Sequence, residues 1–438
     1  MDLPLPRCPH YLPDPPALRR RAWSHVALVF LFMLVNYADK AVVGLASVPI
    51  MHELGLSNAQ FGELGSAFFL LFSVSGIAVG FLANRARTRL LMAGMAFVWA
   101  AALLPLIGAS SFALLVGSRI LLGAAEGPAF PVALHTVYKW FPDSLRALPT
   151  SVVASGAAFG SGIVAPFIAW VIVHAGWHAA FAMLGATSLV WAAVWLLVAA
   201  EGPMDIPRSN GRAAPDRIRY AQLLSSRTAT GVFLAGFAAY WVIALNIVWL
   251  ANYLINALHI APLSAAWIVA LPAGMQIALA PALAALSQWL GRRGFPSRLS
   301  RGWLGSSCVM LSGVSLMVMT LMPVGPAKII VIGLGFSIGS VIFTLGSALI
   351  GEISPASQRG AMLGITNSVQ TLAGLCAPVV MGFVVDVGAN RADGFNTGFL
   401  YAGALVATLG LCAAVLIHPQ ADRHRFNANE LSASGIRR

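Results

Sequence analysis

The sequence predicts an all-α integral membrane protein: twelve transmembrane helices in two pseudo-symmetric six-helix bundles, with both termini in the cytoplasm. Three observations predict it. Hydrophobic residues make up 58% of the chain and charged residues only 10%, a balance foreign to soluble domains. Apolar stretches long enough to span a bilayer, at least about 18 residues, recur from end to end. A polar break rich in Pro and Arg falls at mid-chain, and the sequences on its two sides echo each other.

Residues 1–22 are Pro-rich and hold no apolar run before Arg19–Arg21, so they read as a cytoplasmic tail and not as a cleaved signal. The first bundle, 23–200, contains apolar stretches at roughly 23–46, 60–83, 90–108, 112–138, 149–173 and 178–200. Each is too long for a strand, is rich in Leu, Ala, Val and Gly, and lacks the alternation of a β-barrel. Residues 201–228 hold Pro203, Pro207, Pro215 and five Arg, and read as a cytoplasmic linker. The second bundle, 229–417, repeats the pattern at roughly 229–257, 263–290, 302–323, 327–350, 360–386 and 394–417. A cytoplasmic tail, 418–438, closes the chain.

The net charge of +12 invites a nucleic-acid partner, but its distribution argues against one. Apart from Lys40, Arg119, Lys328 and Arg391, every Lys and Arg falls in segments that the alternation of spans puts on one side. That is the positive-inside pattern, with the lipid bilayer as the partner. The four cysteines, Cys8, Cys308, Cys376 and Cys412, show no ligand spacing, so neither a disulfide nor a metal site is expected. No nucleophile–base set or phosphate loop suggests an enzyme, and no cofactor is expected.

Two segments carry the internal echo. FPDSLRALPTSVVASGAAFGSGIVAP ends at Pro166, and ISPASQRGAMLGITNSVQTLAGLCAP ends at Pro378. In each, a Pro-containing turn precedes an Arg (Arg146, Arg359), and a small-residue helix follows. Gly156 with Gly160, and Gly364 with Ser368, sit one helical turn apart, where small side chains let backbones approach.

Four charges lie inside the apolar stretches: Asp39 and Lys40 in the first, Arg119 and Glu126 in the fourth. A charge at mid-membrane costs several kcal/mol, so it persists when paired and used. Asp39 and Arg119 each lie about 10 Å below the outer boundary, so their depths permit a pair. Glu126 shares a face with Arg119 and sits about 10 Å deeper. Lys40 is turned about 100° from Asp39, toward the central cavity if Asp39 faces the fourth helix. The set sums to zero. An entering carboxylate needs a cation, and Lys40 is the nearest. The site then holds one excess negative charge, which protonation of Glu126 removes. Proton and anion therefore assist each other's binding. A permanent Asp39–Arg119 pair that fixes the two helices is an equal alternative for Asp39.

The second half has no ionised group inside a span. Its polar candidates are Asn246, Asn252, Asn367 and Gln370, with Trp249 and Tyr253 forming an aromatic face that lines the pocket or belongs to an outer interfacial belt. Asn367 contacts substrate or makes an interhelical bond. Glu63, Glu352 and Asp386 lie near span ends and read as solvated.

Longer motifs now make the chain recognisable. NYADKA at 36–41 is similar to NYxDRA, SAFFLLF at 66–72 to SAFFxxY, and SRILLGAAEGPAFP at 118–131 with WFP at 140–142 to RxxLGxxEAPxFP…WFP. These resemble the anion:cation symporter branch of the major facilitator superfamily, which carries sugar acids, aromatic acids and other organic anions with protons or sodium. The resemblance implies the major facilitator fold, with the substrate site between the halves near mid-membrane. It implies that Asp39 and Glu126 titrate the coupled proton, that Lys40 holds the substrate anion, and that Tyr37 and Asn367 stand at binding positions. Phe72 and Trp249 join them as candidate substrate contacts. GFLANRARTRL departs from the superfamily's G-x-L-A-D-R-x-G-x-R-R by Asn84 for Asp, which weakens a cytoplasmic gate expected to involve Asn84, Arg85, Arg89, Arg146 and Arg359. Lys40 replaces Arg and gives up bidentate geometry. Phe72 for Tyr and Gly76 for Gln remove donors from the expected pocket wall.

The function these features predict is proton-coupled import of a small organic anion, an aromatic or short aliphatic carboxylate, by a monomer in the inner (plasma) membrane. The coupling ion is H+ or Na+. The competing reading is a proton antiporter that exports hydrophobic compounds or organic acids. It is disfavoured because Ala165, not Gly, precedes Pro166.

Overall fold

The computed structural model describes residues 16–83, 86–108, 111–141, 147–203, 218–355 and 358–433. The expected gate residues Asn84, Arg85 and Arg146 lie outside these. Among the described residues all regular structure is helical.

The first half comprises α1 (Pro16–Leu45), α2 (Ser47–Leu54), α3 (Asn58–Ala83), α4 (Thr88–Leu103), α5 (Phe112–Glu126), α6 (Ala129–Tyr138), α7 (Ala147–Ala158) and α8 (Val164–Val198). A short α9 (Tyr220–Leu224) lies in the linker. The second half comprises α10 (Arg227–Leu245), α11 (Pro262–Arg292), α12 (Leu304–Leu321), α13 (Pro326–Ser337), α14 (Val341–Ile353), α15 (Arg359–Val387) and α16 (Arg391–Leu416), and α17 (Pro419–Ala433) follows it. Helix occupies every one of the twelve predicted stretches. Among the described residues ten helices are long and apolar enough to cross a membrane, one of them a 51-residue run, Leu148–Val198.

Local sequence explains the breaks. That run turns at Gly176, whose φ of 83° and ψ of 164° suit glycine alone. Gly127 and Pro128 part α5 from α6, because Pro128 lacks the N–H a continuous helix needs. π-helical turns at Phe159–Ile163 and Asn246–Leu250 loosen the helices beside the central seam.

Both predicted tails are partly helical. α1 begins at Pro16, within the expected tail, because His25 clips its first turns to the end of α8. One ring nitrogen of His25 donates to the Arg21 carbonyl at 2.7 Å, and the other accepts from the Ala200 N–H at 3.0 Å. In α17, the Asp422 carboxylate accepts from the Thr228 N–H at 2.8 Å and so caps α10.

Small residues set the helix spacing. A methyl at Gly123 would overlap the Phe68 carbonyl, and one at Gly127 the Phe72 carbonyl, so α3 and α5 touch backbone to backbone. Gly156 and Gly160 meet the Phe30 and Leu34 carbonyls of α1 in the same way, as their spacing predicts. Gly364 does not: nothing lies within 4 Å of where its Cβ would be.

That difference reflects a seam between the halves that is closed at one end. α3 and α15 run antiparallel. At the closed end the Asp386 carboxylate accepts from the Asn58 N–H (3.1 Å), the Asn58 side-chain amide (2.8 Å) and the Ala59 N–H (2.7 Å), capping α3 across the seam. Gly62 packs on the Pro378 carbonyl, Gly374 packs on the Phe69 ring, and the Ser73 and Thr371 hydroxyls bond to each other. Beyond Thr371 the helices part, and Asn367 is exposed. The closed end is the one that the charge pattern assigns to the outside.

Two carboxylates expected to be solvated are engaged. Asp386 makes this cap, and Glu352 pairs with Arg301 at 2.9 Å and Arg423 at 3.8 Å. Asp386→Asn removes the charge and half of the cap, worth about 1–2 kcal/mol. Spin labels at Gln60 and Val387 are expected to report a wider, more populated long-distance component in that variant. An unchanged distance distribution would show that the cap does not hold the seam.

Candidate functional site

α1 and α5 bring the central charges together. The Lys40 ammonium lies 3.3 Å from Glu126 Oε2, with both side chains more than nine-tenths buried. It donates to Asn36 Oδ1, one turn earlier on α1, at 2.6 Å. The Tyr37 ring centroid lies 4.1 Å from the ammonium, and the Phe72 centroid of α3 lies 5.4 Å from it. The cation is therefore held by one carboxylate, one amide oxygen and two ring faces.

Glu126 owes its position to local sequence. It is the last residue of α5, and the Gly127–Pro128 break stops the helix beside it. Gly123, one turn earlier, lets α5 sit against α3 so that Phe72 reaches the same point. Glu126 Oε2 is tied to Lys40 at 3.3 Å, and Glu126 Oε1 has no hydrogen-bond partner among the described residues.

The expected outer pair is rearranged. Arg119 does not meet the Asp39 carboxylate. Its guanidinium donates to the Asp39 backbone carbonyl at 3.4 Å and lies 4.7 Å from the Phe68 ring centroid. Both Asp39 carboxylate oxygens are buried with no hydrogen-bond partner among the described residues. Arg119 reaches the α1 backbone beside Asp39, and the direct side-chain ion pair between α1 and α5 is made by Lys40.

Trp249 belongs neither to the pocket wall nor to an interfacial belt. It is fully buried, donates to the Pro378 carbonyl at 3.0 Å, and meets the Phe61 and Phe395 rings edge-on. Pro378 lies inside α15, and its own carbonyl accepts from the indole. Gly76 also leaves the wall, since its Cβ would point at the Gly127 carbonyl. Asn367 stays exposed on α15.

Two residues were missed in the sequence. Asn36 lies four positions before Lys40, and that helical spacing was a usable signal. Tyr240 of α10 is half-buried and meets Phe69 edge-on at 5.8 Å between centroids. It also meets Phe343 edge-on at 6.3 Å.

The expected gate residues divide. Arg359 is exposed at the start of α15. Arg89 stays within its own half, where its guanidinium donates to the Leu196 carbonyl. Beside it, Glu201 accepts from Lys139 at 2.6 Å, from the Arg89 N–H at 3.1 Å and from Thr88 at 3.1 Å. Burial pushes the Glu201 carboxyl up, but the Lys139 bond and the other donors together leave it below the ordinary value. Its contribution to stability is thus present at neutral pH and is lost as pH falls through that lowered value.

A buried ammonium beside a single carboxylate can accept an anion in that carboxylate's place if the carboxylate is neutralised. Such an exchange needs no covalent step. Among the described residues no cluster of three or more His, Cys, Asp or Glu is placed to hold a metal ion.

The sequence matches the family model described as Major Facilitator Superfamily in two overlapping segments, residues 29–339 and 232–435. It is 26% identical over 426 residues to the "Probable galactarate/D-glucarate transporter GudP" of Bacillus subtilis, covering 91% of this chain and 92% of that protein. It is also 26% identical over 432 residues to the D-galactonate transporter of Escherichia coli O6:H1, covering 91% and 96%. In fold it resembles the crystal structure of a bacterial homologue of the human lysosomal transporter Spinster, inward-facing and occupied, with a TM-score of 0.75, 17% identity and coverage of 92% and 98%.

Proposed function

The chain belongs to the Major Facilitator Superfamily, and we propose that it imports a small organic anion across the cell's inner membrane by proton symport through alternating access. Family and relatives alike are transporters and not enzymes. The observation that carries the coupling is the buried Lys40–Glu126 pair at 3.3 Å.

With Glu126 ionised, Lys40 is already satisfied and an incoming carboxylate gains little. With Glu126 protonated, the ammonium is released and the carboxylate takes its place beside Asn36, Tyr37 and Phe72. Each ligand therefore favours the other by neutralising what the other leaves unpaired. Leaving an anion alone at the site would strand a buried negative charge, so uncoupled movement is suppressed. Asp39 and Arg119 set the field above this pair, and Asp39 is a second candidate for the proton. The half-closed seam is the form in which the site would release both ligands to the cytoplasm.

The test is uptake of carboxylates into proteoliposomes under an imposed inward proton gradient. Glu126→Gln, which mimics the protonated acid, is expected to keep counterflow exchange and to lose gradient-driven accumulation. Accumulation that persists in this variant would remove Glu126 from the coupling. Loss of accumulation in a sodium gradient alone, with the proton gradient effective, assigns H+ over Na+.

A further inference from the structure

We propose, resting on that transport reading, that the substrate is a small monocarboxylate with an apolar, aryl or short-alkyl body, and that Tyr240 of the second half covers this body. The relatives whose names specify sugar acids do not predict this; the wall of the site does.

The hydrogen-bonding capacity of the site is concentrated at one point. Lys40 has a donor left after Asn36 and Glu126, and the Asn36 amide nitrogen beside it is buried without a partner among the described residues. That is enough for one carboxylate. Away from this point the wall is a chain of rings, with hydroxyls only on Tyr37 and Tyr240 among those named. Phe72 lies 6.0 Å from Phe69 between centroids, and Phe69 lies 5.8 Å from Tyr240, both edge to face. The chain runs from the ammonium in the first half to the second half. Tyr37, Phe72 and Tyr240 are half-buried, while Phe69 is packed at 4% exposure. The Ser73 and Thr371 hydroxyls of α3 and α15 bond to each other, and that of Ser75 donates to the Phe72 carbonyl.

A polyhydroxylated acid would bring several hydroxyls against these rings. Each one stripped of water without a partner weakens binding by about tenfold. An aryl body instead gains edge-to-face contacts with the same rings. The phenols of Tyr37 and Tyr240 are too few to match every hydroxyl of such an acid, so the site does not favour the hydroxylated ligand. Asn367, exposed on α15, and Gln370, packed against Gly236 of α10, are the side-chain amides nearest in sequence to Thr371 on that helix.

The experiment uses the purified full-length protein, with thermal-shift titrations and proteoliposome counterflow of benzoate, propionate, galactarate and D-galactonate. Benzoate is expected to act at concentrations at least about tenfold lower than galactarate. Phe72→Tyr is expected to narrow that gap. Tyr240→Ala is expected to weaken benzoate by about tenfold and to leave the galactarate response unchanged. Ligand-free melting of each variant separates misfolding from lost recognition, and Tyr240→Phe serves as the conservative control. Galactarate equal to or better than benzoate would overturn the apolar-body assignment and leave anion transport standing. An unaltered benzoate response in folded Tyr240→Ala would overturn the role of Tyr240. If none of the four acids shifts melting or supports counterflow, the transport reading fails together with this one.

Discussion

Lys40→Met is expected to lower carboxylate uptake by at least about 100-fold while the protein still folds and inserts. Truncating one member of a desolvated, hydrogen-bonded charge pair costs about 2–5 kcal/mol in binding. Here the lost group is the only ammonium within reach of the incoming carboxylate among the described residues, and no neighbouring donor can replace it: Asn36 is neutral, and Tyr37 and Phe72 offer ring faces. Removing one partner from a buried pair also destabilises a fold by about 3–5 kcal/mol. Glu126 escapes part of that cost by taking a proton. The double variant Lys40→Met with Glu126→Gln should therefore melt closer to the parent than Lys40→Met does, and should remain inactive. Lys40→Arg keeps the charge but imposes a planar fork on a site shaped for a compact ammonium, so partial activity is expected. Proteoliposome uptake and thermal melting read both quantities. If Lys40→Met transports within a few-fold of the parent, Lys40 is not the anion's partner.

Gly123→Ala should do comparable damage from outside the charged set. Its methyl would overlap the Phe68 carbonyl, a backbone atom that no side-chain rotation can move. α3 and α5 must then separate. Overpacking of this kind costs about 1–3 kcal/mol or more. The functional loss should exceed the stability loss, because α3 carries both Phe68, over Arg119, and Phe72, over Lys40. A shift of α3 withdraws two ring faces from two cations at once. Lower melting together with uptake reduced by at least about tenfold is expected, whereas Gly364→Ala, where a Cβ meets open space, should change little. Equal effects in the two variants would contradict the close α3–α5 contact.

The fold was largely legible because its signal is gross. A span of about 20 apolar residues can satisfy its backbone in lipid only as a helix, so composition and length place helix in the right stretches. The break at Gly176 was legible, since it falls between two predicted stretches, whereas the one at Gly127–Pro128 lies inside a stretch read as continuous. The helical starts at Pro16 and Pro419 were not legible either, since their partners, Ala200 and Thr228, are remote in sequence. The charged set was legible because a buried charge is conspicuous among apolar residues. Its pairing was only half legible. Spacing along one helix put Glu126 on the face of Arg119. Which α1 side chain turns toward that face depends on how α1 rolls against α5, and no periodicity within α1 records it. Trp249 failed for a related reason: an aromatic residue near a span end reads the same whether it faces lipid, a pocket or a proline-kinked helix. Tyr240 was hidden because its role depends on Phe69 across the seam.

The one-sided seam between α3 and α15 also decides where a transmembrane voltage would fall. Its closed end is plugged by packed rings and backbone, while the other end parts beyond Thr371. In the proposed orientation most of the potential therefore drops between the outer surface and Lys40. A charge carried through that sealed distance exchanges about 2.3 kcal/mol per 100 mV. One proton travelling with one monocarboxylate exchanges none, so such a cycle would draw no current and would ignore the resting potential. A dicarboxylate entering with a single proton would be held back by a negative interior.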